Sequence, residues 1–113
     1  MKATDLMIGD KVMVKVLSQI PNTYVLHTWT ANDYSRDIQV KPIPLTPEIL
    51  EKNGWWYDGD DMWQHEEVSF YIEKYNGGFQ CYEINDIKLD SVHQLQQTLR
   101  LCGLNELADN FKI

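Results

Sequence analysis

Residues 41–50 read KPIPLTPEIL and mark a change from extended chain to helix near the middle of this 113-residue sequence. Pro42 and Pro44 have no amide hydrogen to donate, so the chain before Thr46 is predicted to be an edge or crossover segment and not a central strand. Thr46 is a favoured N-cap, and Pro47 suits the first helical position, where no donor is needed. The stretch therefore predicts a joint between two β units that leads into a short helix.

Upstream of the proline stretch, the sequence predicts a unit of three β-strands. Val12, Val14 and Val16 fall on one face of the first strand, with the two-residue period of a half-buried strand. A turn at Pro21-Asn22 joins it to a second strand that is rich in β-branched and aromatic residues. The three predicted strands cover residues 11–17, 23–29 and 36–41.

Downstream of the proline stretch, the sequence predicts a short helix and then a β-hairpin unit. The helix covers residues 47–53, because Asn53-Gly54 tolerates the left-handed geometry of a helix end. Asn76-Gly77-Gly78 favours a type I′ hairpin turn, since that turn needs positive φ at both central residues. The strands of this half are predicted at residues 55–57, 62–65, 68–73 and 79–84.

A longer helix is predicted near the C-terminus. It begins at a capping box, in which Ser91 caps the first turn and Gln94 reaches back to the amide of Ser91. Gly103 ends this helix, and residues 104–111 add a final turn. The apolar residues of the helix recur at helical spacing and predict one buried stripe: Val92, Leu95, Leu99 and Cys102.

Together these elements predict an α+β fold in a single domain, residues 1–113. Antiparallel sheets come from the N-terminal three-stranded unit and the C-terminal β-hairpin unit, with one short central helix and one longer C-terminal helix. Hydrophobic residues make up 43% of the chain and aromatic residues 12%, which is enough for a buried core. Cys81 and Cys102 are expected to be reduced and buried, because a thiol behaves as a small apolar group.

The formal net charge of −7 argues against nucleic-acid binding, which needs a basic face to neutralise phosphates. No apolar run reaches the length of about 18 residues that a membrane-spanning helix requires, and the N-terminus lacks the apolar segment of a signal peptide. We therefore expect a soluble, cytoplasmic protein with no nucleic-acid partner and no membrane partner.

No motif in the chain predicts catalysis, a cofactor or a metal site. The sequence has no GxSxG elbow, no nucleotide-binding glycine loop and no paired cysteine or histidine spacing. Asp58-Gly59-Asp60-Asp61 is predicted to be an acidic β-turn, because its glycine does not stand where a calcium loop needs one. We expect no catalytic residue, no cofactor and no metal ligand, which favours a protein that is not an enzyme.

His93 is the histidine with the clearest functional interest, and it is a candidate binding residue. On the helical wheel it lies off the apolar stripe, beside Gln97 and Arg100. The favoured interpretation is an exposed or hydrogen-bonded surface histidine. A general base or metal ligand acting with nearby carboxylates, as in a hydrolase or metal protein, is the weaker alternative.

The density of tryptophan gives the strongest functional signal. Trp55 and Trp56 are neighbours in a predicted strand, so their side chains point to opposite faces and one of them should be exposed. The favoured interpretation of this aromatic density is that the rings are core and cover residues of a small sheet. If they act in binding, Trp55, Trp56 and Trp63 are the predicted contact residues. The leading hypothesis is binding to another protein or to a second copy of the chain. The alternative is a carbohydrate- or small-ligand-binding module that uses the same aromatic residues.

Three short segments resemble a family of short uncharacterised proteins encoded by gut bacteria and their phages. The resemblance covers most of the chain in the same order. It implies an association with phages or mobile elements, and it carries no catalytic residue to this sequence. The segments that carry it are residues 6–12 (LMIGDKV), residues 41–46 (KPIPLT) followed by Asn53-Gly54, and residues 92–96 (VHQLQ).

Overall fold

The computed structural model describes residues 2–17, 23–35, 38–82, 84 and 87–113. The chain forms two compact units: unit 1 contains residues 1–43 and 91–110, and unit 2 contains residues 44–90 and 111–113. The first of the three boundaries between them along the chain falls at Ile43-Pro44, inside the proline stretch. The predicted joint between two β units is therefore confirmed, while the prediction of a single domain stays a prediction.

Over the described residues the chain forms seven strands and three α-helices, and the predicted α+β fold is confirmed. The strands are β1 (Lys11–Val16), β2 (Val25–Thr28), β3 (Ile38–Lys41), β4 (Trp55–Tyr57), β5 (Met62–His65), β6 (Ile72–Tyr75) and β7 (Gly78–Cys81). The helices are α1 (Pro47–Lys52), α2 (Val92–Leu101) and α3 (Asn105–Asp109).

Unit 1 is built on a three-stranded antiparallel sheet with the strand order β2-β1-β3. The second strand is shorter than predicted. The predicted start of the third strand at residue 36 and the predicted turn at Pro21-Asn22 lie outside the described residues. Helix α2 contacts β1, as expected of a helix that covers a sheet. The core of this sheet contains Leu6, Val12, Val14 and Trp29, with Ile38 and Val40 packed against them.

Helix α2 begins where the capping box predicted it, with the Ser91 amide donating to Gln94 Oε1 at 3.0 Å. Val92, Leu95 and Leu99 are fully buried, so most of the predicted stripe is confirmed. The prediction was wrong for Cys102, which is exposed because the helix ends at Leu101 and the chain turns there.

Unit 2 is a four-stranded antiparallel sheet with the strand order β4-β5-β6-β7. Asn76 and Gly77 have φ values of 48° and 78°, which confirms the predicted type I′ turn between β6 and β7. Two strand boundaries were predicted wrongly. Strand β6 begins at Ile72 and not at residue 68, and strand β7 ends at Cys81 and not at residue 84.

The late start of β6 has a local cause in the preceding segment. The amides of Glu67 and Val68 donate to His65 Nδ1 at 3.0 Å and 3.3 Å, so the chain turns directly after β5. The carbonyl of Phe70 accepts from the indole of Trp55 at 3.3 Å. Residues 66–70 thus satisfy polar groups of their own unit, and the alternation of apolar residues there does not produce a strand.

Helix α1 occupies residues Pro47–Lys52 and confirms the predicted short central helix. Thr46 caps it by accepting from the Ile49 amide at 3.3 Å, and Pro47 takes the first helical position. The side chain of Leu50 is fully buried, and a helix of fewer than two turns needs such packing in order to be stable.

Candidate functional site

One face of the four-stranded sheet of unit 2 carries most of its aromatic side chains. The strand register places Trp55 opposite His65, and Tyr57 opposite Trp63. Because side chains two residues apart in a strand share a face, Lys74 lies on the same face as Ile72, and it pairs with Phe79 across the β6–β7 hairpin. This face therefore combines a run of rings with one basic side chain.

At one end of this face lies an open cavity of about 360 Å³, called here the aromatic pocket. Its volume is at the lower end of the range of about 300–1,000 Å³ that is usual for small-ligand sites. Four lining residues come from the sheet face, three from the end of the proline stretch and the start of α1, and two from the hairpin turn. They are Tyr57, Trp63, Lys74 and Phe79, then Leu45, Thr46 and Pro47, then Gly77 and Gly78.

The rings of the pocket contact one another directly. Tyr57 and Trp63 have ring centroids 5.3 Å apart at an interplanar angle of 52°. Trp63 and Phe79 are 6.4 Å apart with an edge-to-face angle of 68°. Trp63 is buried whereas Tyr57 is exposed, so the indole forms the floor of the pocket and the tyrosine its rim.

The segment that borders the pocket is fixed by hydrogen bonds. The Leu45 amide donates to the carbonyl of Asp90 at 3.1 Å, and Leu45 itself is buried. The next residue, Thr46, caps helix α1. The same residues that end the extended chain and begin the helix therefore supply an apolar wall to the pocket.

Two exposed groups at the rim, Tyr57 and Asp61, are linked to each other. The hydroxyl of Tyr57 donates to Asp61 Oδ1 at 3.1 Å and accepts from the Asp61 amide at 3.1 Å. The carbonyl of Asp61 accepts from the Lys74 amide at 2.7 Å. These contacts hold the tyrosine ring and strand β6 in fixed positions at the entrance.

The three predicted tryptophans separate into different environments. Trp63 lines the pocket. Trp55 is 2% exposed and packs in the core of unit 2 against His65, with ring centroids 4.6 Å apart. Trp56 is 49% exposed on the opposite face of β4. The prediction that one of the two adjacent tryptophans is exposed is confirmed, and only Trp63 of the three lines the pocket.

His93 is not the surface histidine that the helical wheel favoured, because only 7% of it is exposed. Its Nδ1 lies 3.0 Å from the hydroxyl of Ser91. Burial lowers the pKa of His93, and the negative charges of Asp10 and Asp5 oppose that shift. The polar side of α2 faces inward because Gln97 and Arg100 both bind the buried carboxylate of Asp10, at 2.7 Å and 2.6 Å.

The acidic turn at Asp58-Gly59-Asp60-Asp61 is stabilised by its own hydrogen bonds. The Asp60 amide and the side chain of Gln64 donate to the carboxylate of Asp58 and lower the pKa of that group. Within the described ranges, no three histidine, cysteine or acidic side chains lie close enough to hold a metal ion together. In the same part of the chain, no helix is long and apolar enough to cross a membrane.

Sequence reasoning missed Tyr57, Lys74 and Phe79 as pocket residues. A signal for two of them was present: a two-residue hairpin loop at Asn76-Gly77 pairs Lys74 with Phe79. Tyr57 stands two residues after Trp55 and so belongs to the same face. No local pattern in the sequence indicated that residues 45–47 border this face.

Comparisons of the chain with protein-family models, with curated proteins and with solved structures found no match. The resemblance to short proteins of gut bacteria and their phages therefore stays a prediction. The geometry of the pocket is the basis for the functional proposal that follows.

Proposed function

We propose that this protein is a binding module that holds a small, flat and largely apolar ligand in the aromatic pocket. The observation that carries the proposal is the pocket itself: a cavity of about 360 Å³ that is lined by three contacting rings and by Leu45 and Pro47. Apolar walls with few polar groups are typical of ligand sites in proteins.

The pocket is suited to a flat ligand. Trp63, Phe79 and Tyr57 meet at tilted or edge-to-face angles, so a planar ring that enters can contact a ring face and a ring edge at once. The walls are held by the helix cap at Thr46 and by the tight turn at Asn76-Gly77. A rigid pocket loses little conformational entropy when a ligand binds.

The experiment that tests this function is a titration with 2-naphthamide, followed by ¹H–¹⁵N NMR. The expected result is a shift of the indole N–H signal of Trp63 and of the amide signal of Phe79, with the signal of the buried Trp29 unchanged. Weak binding with a Kd of about 0.1–1 mM is expected for a fragment of this size.

The matched pair of variants is Tyr57→Leu and Tyr75→Leu. Both tyrosines are exposed strand residues of unit 2, with exposed fractions of 40% and 52%, but only Tyr57 lines the pocket. Tyr57→Leu should weaken binding several-fold while Tyr75→Leu leaves it unchanged. Equal effects of the two substitutions, or no saturable shift at Trp63, would contradict the proposal.

Self-association is the second candidate function, and the exposure of Trp56 favours it. A half-exposed tryptophan on the solvent side of a sheet is a common anchor of protein interfaces. Light scattering after size-exclusion chromatography tests this candidate. A dimer that Trp56→Ser converts to a monomer would support it, whereas a monomer at every concentration would exclude it.

A further inference from the structure

The aromatic pocket contains a charged group that its apolar walls do not explain. Lys74 is the one ionisable basic side chain among the lining residues, and it is exposed at the rim, opposite Phe79 in the β6–β7 hairpin. Long basic side chains usually lay their methylene groups along apolar surface and keep the ammonium group in water. We expect the ammonium group of Lys74 to lie on the solvent side of the pocket, where the polar end of a bound ligand would leave it.

The acidic side chains near the pocket have other contacts, and they include Asp90, whose Oδ1 would lie 3.6 Å from a Cβ atom on the lining residue Gly78. The carboxylate of Asp61 accepts from the hydroxyl of Tyr57 at 3.1 Å, and Glu73 lies on the opposite face of β6, where it accepts from Gln80 Nε2 at 3.0 Å. Among the residues that the structure describes, no carboxylate forms an ion pair with Lys74. Its charge is thus available to a ligand.

We propose that the aromatic pocket selects a ligand that joins a planar apolar ring to a carboxylate, with Lys74 as the residue that determines this charge preference. This inference rests on the proposed binding function and names the chemical class of its ligand. The ring fills the space beside Trp63, and the carboxylate pairs with the ammonium group of Lys74 at the rim. The same ammonium group disfavours a cationic ligand by like-charge repulsion.

The test uses three probes that share one naphthalene ring: 2-naphthoate, neutral 2-naphthamide and cationic 2-naphthylmethylammonium. Their Kd values are measured by NMR titration at low ionic strength, where a partly exposed ion pair is least screened. An exposed charge pair is expected to make 2-naphthoate bind about 3–5-fold more tightly than 2-naphthamide. The cationic probe should bind more weakly than the amide.

The decisive variant is Lys74→Met, with Lys88→Met as its control. Both lysines are exposed and belong to unit 2, and each substitution changes the net charge by the same amount, but Lys88 does not line the pocket. Lys74→Met should bring the affinities for 2-naphthoate and 2-naphthamide together, while Lys88→Met preserves their ratio. The hydrogen bond from Lys74 to Asp61 uses the main chain, so Lys74→Met retains it.

The outcomes separate this inference from the proposed function. Equal affinity of the unsubstituted protein for 2-naphthoate and 2-naphthamide overturns the charge preference and leaves the binding function in place. Tighter binding of the cationic probe, or a preference for 2-naphthoate that survives in Lys74→Met, also overturns it. No binding of any of the three probes contradicts both proposals.

Discussion

The guanidinium Nη1 of Arg100 lies 2.6 Å from Oδ1 of Asp10, whose side chain is fully buried. The same carboxylate accepts from the Met7 amide at 2.8 Å and from Gln97 Nε2 at 2.7 Å through its other oxygen. Gly9 precedes it with φ at +95°, a backbone angle that favours glycine, and a Cβ atom there would lie 2.9 Å from Arg100 Nη2. The buried charge of Asp10 thus organises the turn before β1 and the polar side of α2.

Removing the guanidinium should strongly destabilise unit 1. Arg100→Met leaves Asp10 with two donors and no positive partner, and a buried charge that loses its partner costs about 3–5 kcal/mol. Urea denaturation measures the loss in free energy of unfolding. The control is Asp109→Asn, because this carboxylate is 60% exposed and lies 3.4 Å from Arg100, so less than about 0.5 kcal/mol is expected. Equal losses in the two variants would show that the buried pair is not a major source of stability.

His93 should make the stability depend on pH. Because burial lowers its pKa in the folded state from the ordinary 6.5, the unfolded chain binds the proton more readily. The free energy of unfolding is therefore expected to be greatest above pH 6.5 and to fall as the pH drops below that value. His93→Gln should flatten this part of the curve in urea titrations at several pH values. Parallel curves for the two proteins would assign the pH dependence to other groups.

We expect Gln96 to be essential to the packing of unit 1. The sequence does not indicate this role, because Gln96 is a polar residue within a helix. Its side chain is fully buried, accepts from the Lys11 amide at 2.7 Å, and donates to the carbonyls of Gly9 and Ala108 at 3.0 Å and 2.9 Å. Gln96→Met removes the side-chain partner of the Lys11 amide and the Gly9 carbonyl and one of two donors to the Ala108 carbonyl, and it should cost about 3 kcal/mol. The exposed Gln39→Met serves as control, with a change within about 0.5 kcal/mol. Thermal and urea unfolding of both variants measure the difference.

Asn53 should hold residues 111–113 against the rest of unit 2. Its Nδ2 donates to the carbonyls of Ile49 and Lys112, both at 2.8 Å, and its Oδ1 accepts from the Lys112 amide at 2.7 Å. Asn53→Ala is expected to cost about 2 kcal/mol and to speed hydrogen exchange at the Lys112 amide. Exchange at Lys112 that is as slow as in the unsubstituted protein would rule out this role. The control is Asn110→Ala, because Asn110 is exposed and stands two residues before Lys112 in the chain.

Caps and turns could be predicted from sequence because their physical causes act over about four residues. The hydroxyl of Thr46 reaches an amide three positions on, and Asn76-Gly77 adopts positive φ values that few other pairs tolerate. The exposure of Trp56 next to the buried Trp55 follows from strand alternation in the same way. These features required no knowledge of distant partners.

The environment of His93 shows where such reasoning fails. Its position on the helical wheel beside Gln97 and Arg100 was correctly identified, but the burial of that side depends on Asp10, more than 80 positions away in the chain. A helical wheel separates polar from apolar residues and carries no information about a buried partner charge. The burial of Cys102 was also predicted wrongly, because Cys102 is the C-cap of the helix, one residue beyond the last helical residue, Leu101.

The sequence by itself determined the class of the fold, the presence of a joint within the proline stretch and the type of the hairpin turn, because prolines, caps and alternation act locally on the backbone. Only the tertiary structure decided that Tyr57, Trp63 and Phe79 share one pocket with Lys74, and that residues 45–47 border it. Strand order and the path of a covering segment depend on contacts between residues far apart in the chain. The proline stretch thus has a local role, which the sequence predicts. It also forms a wall of the pocket, and only folding brings that wall into place.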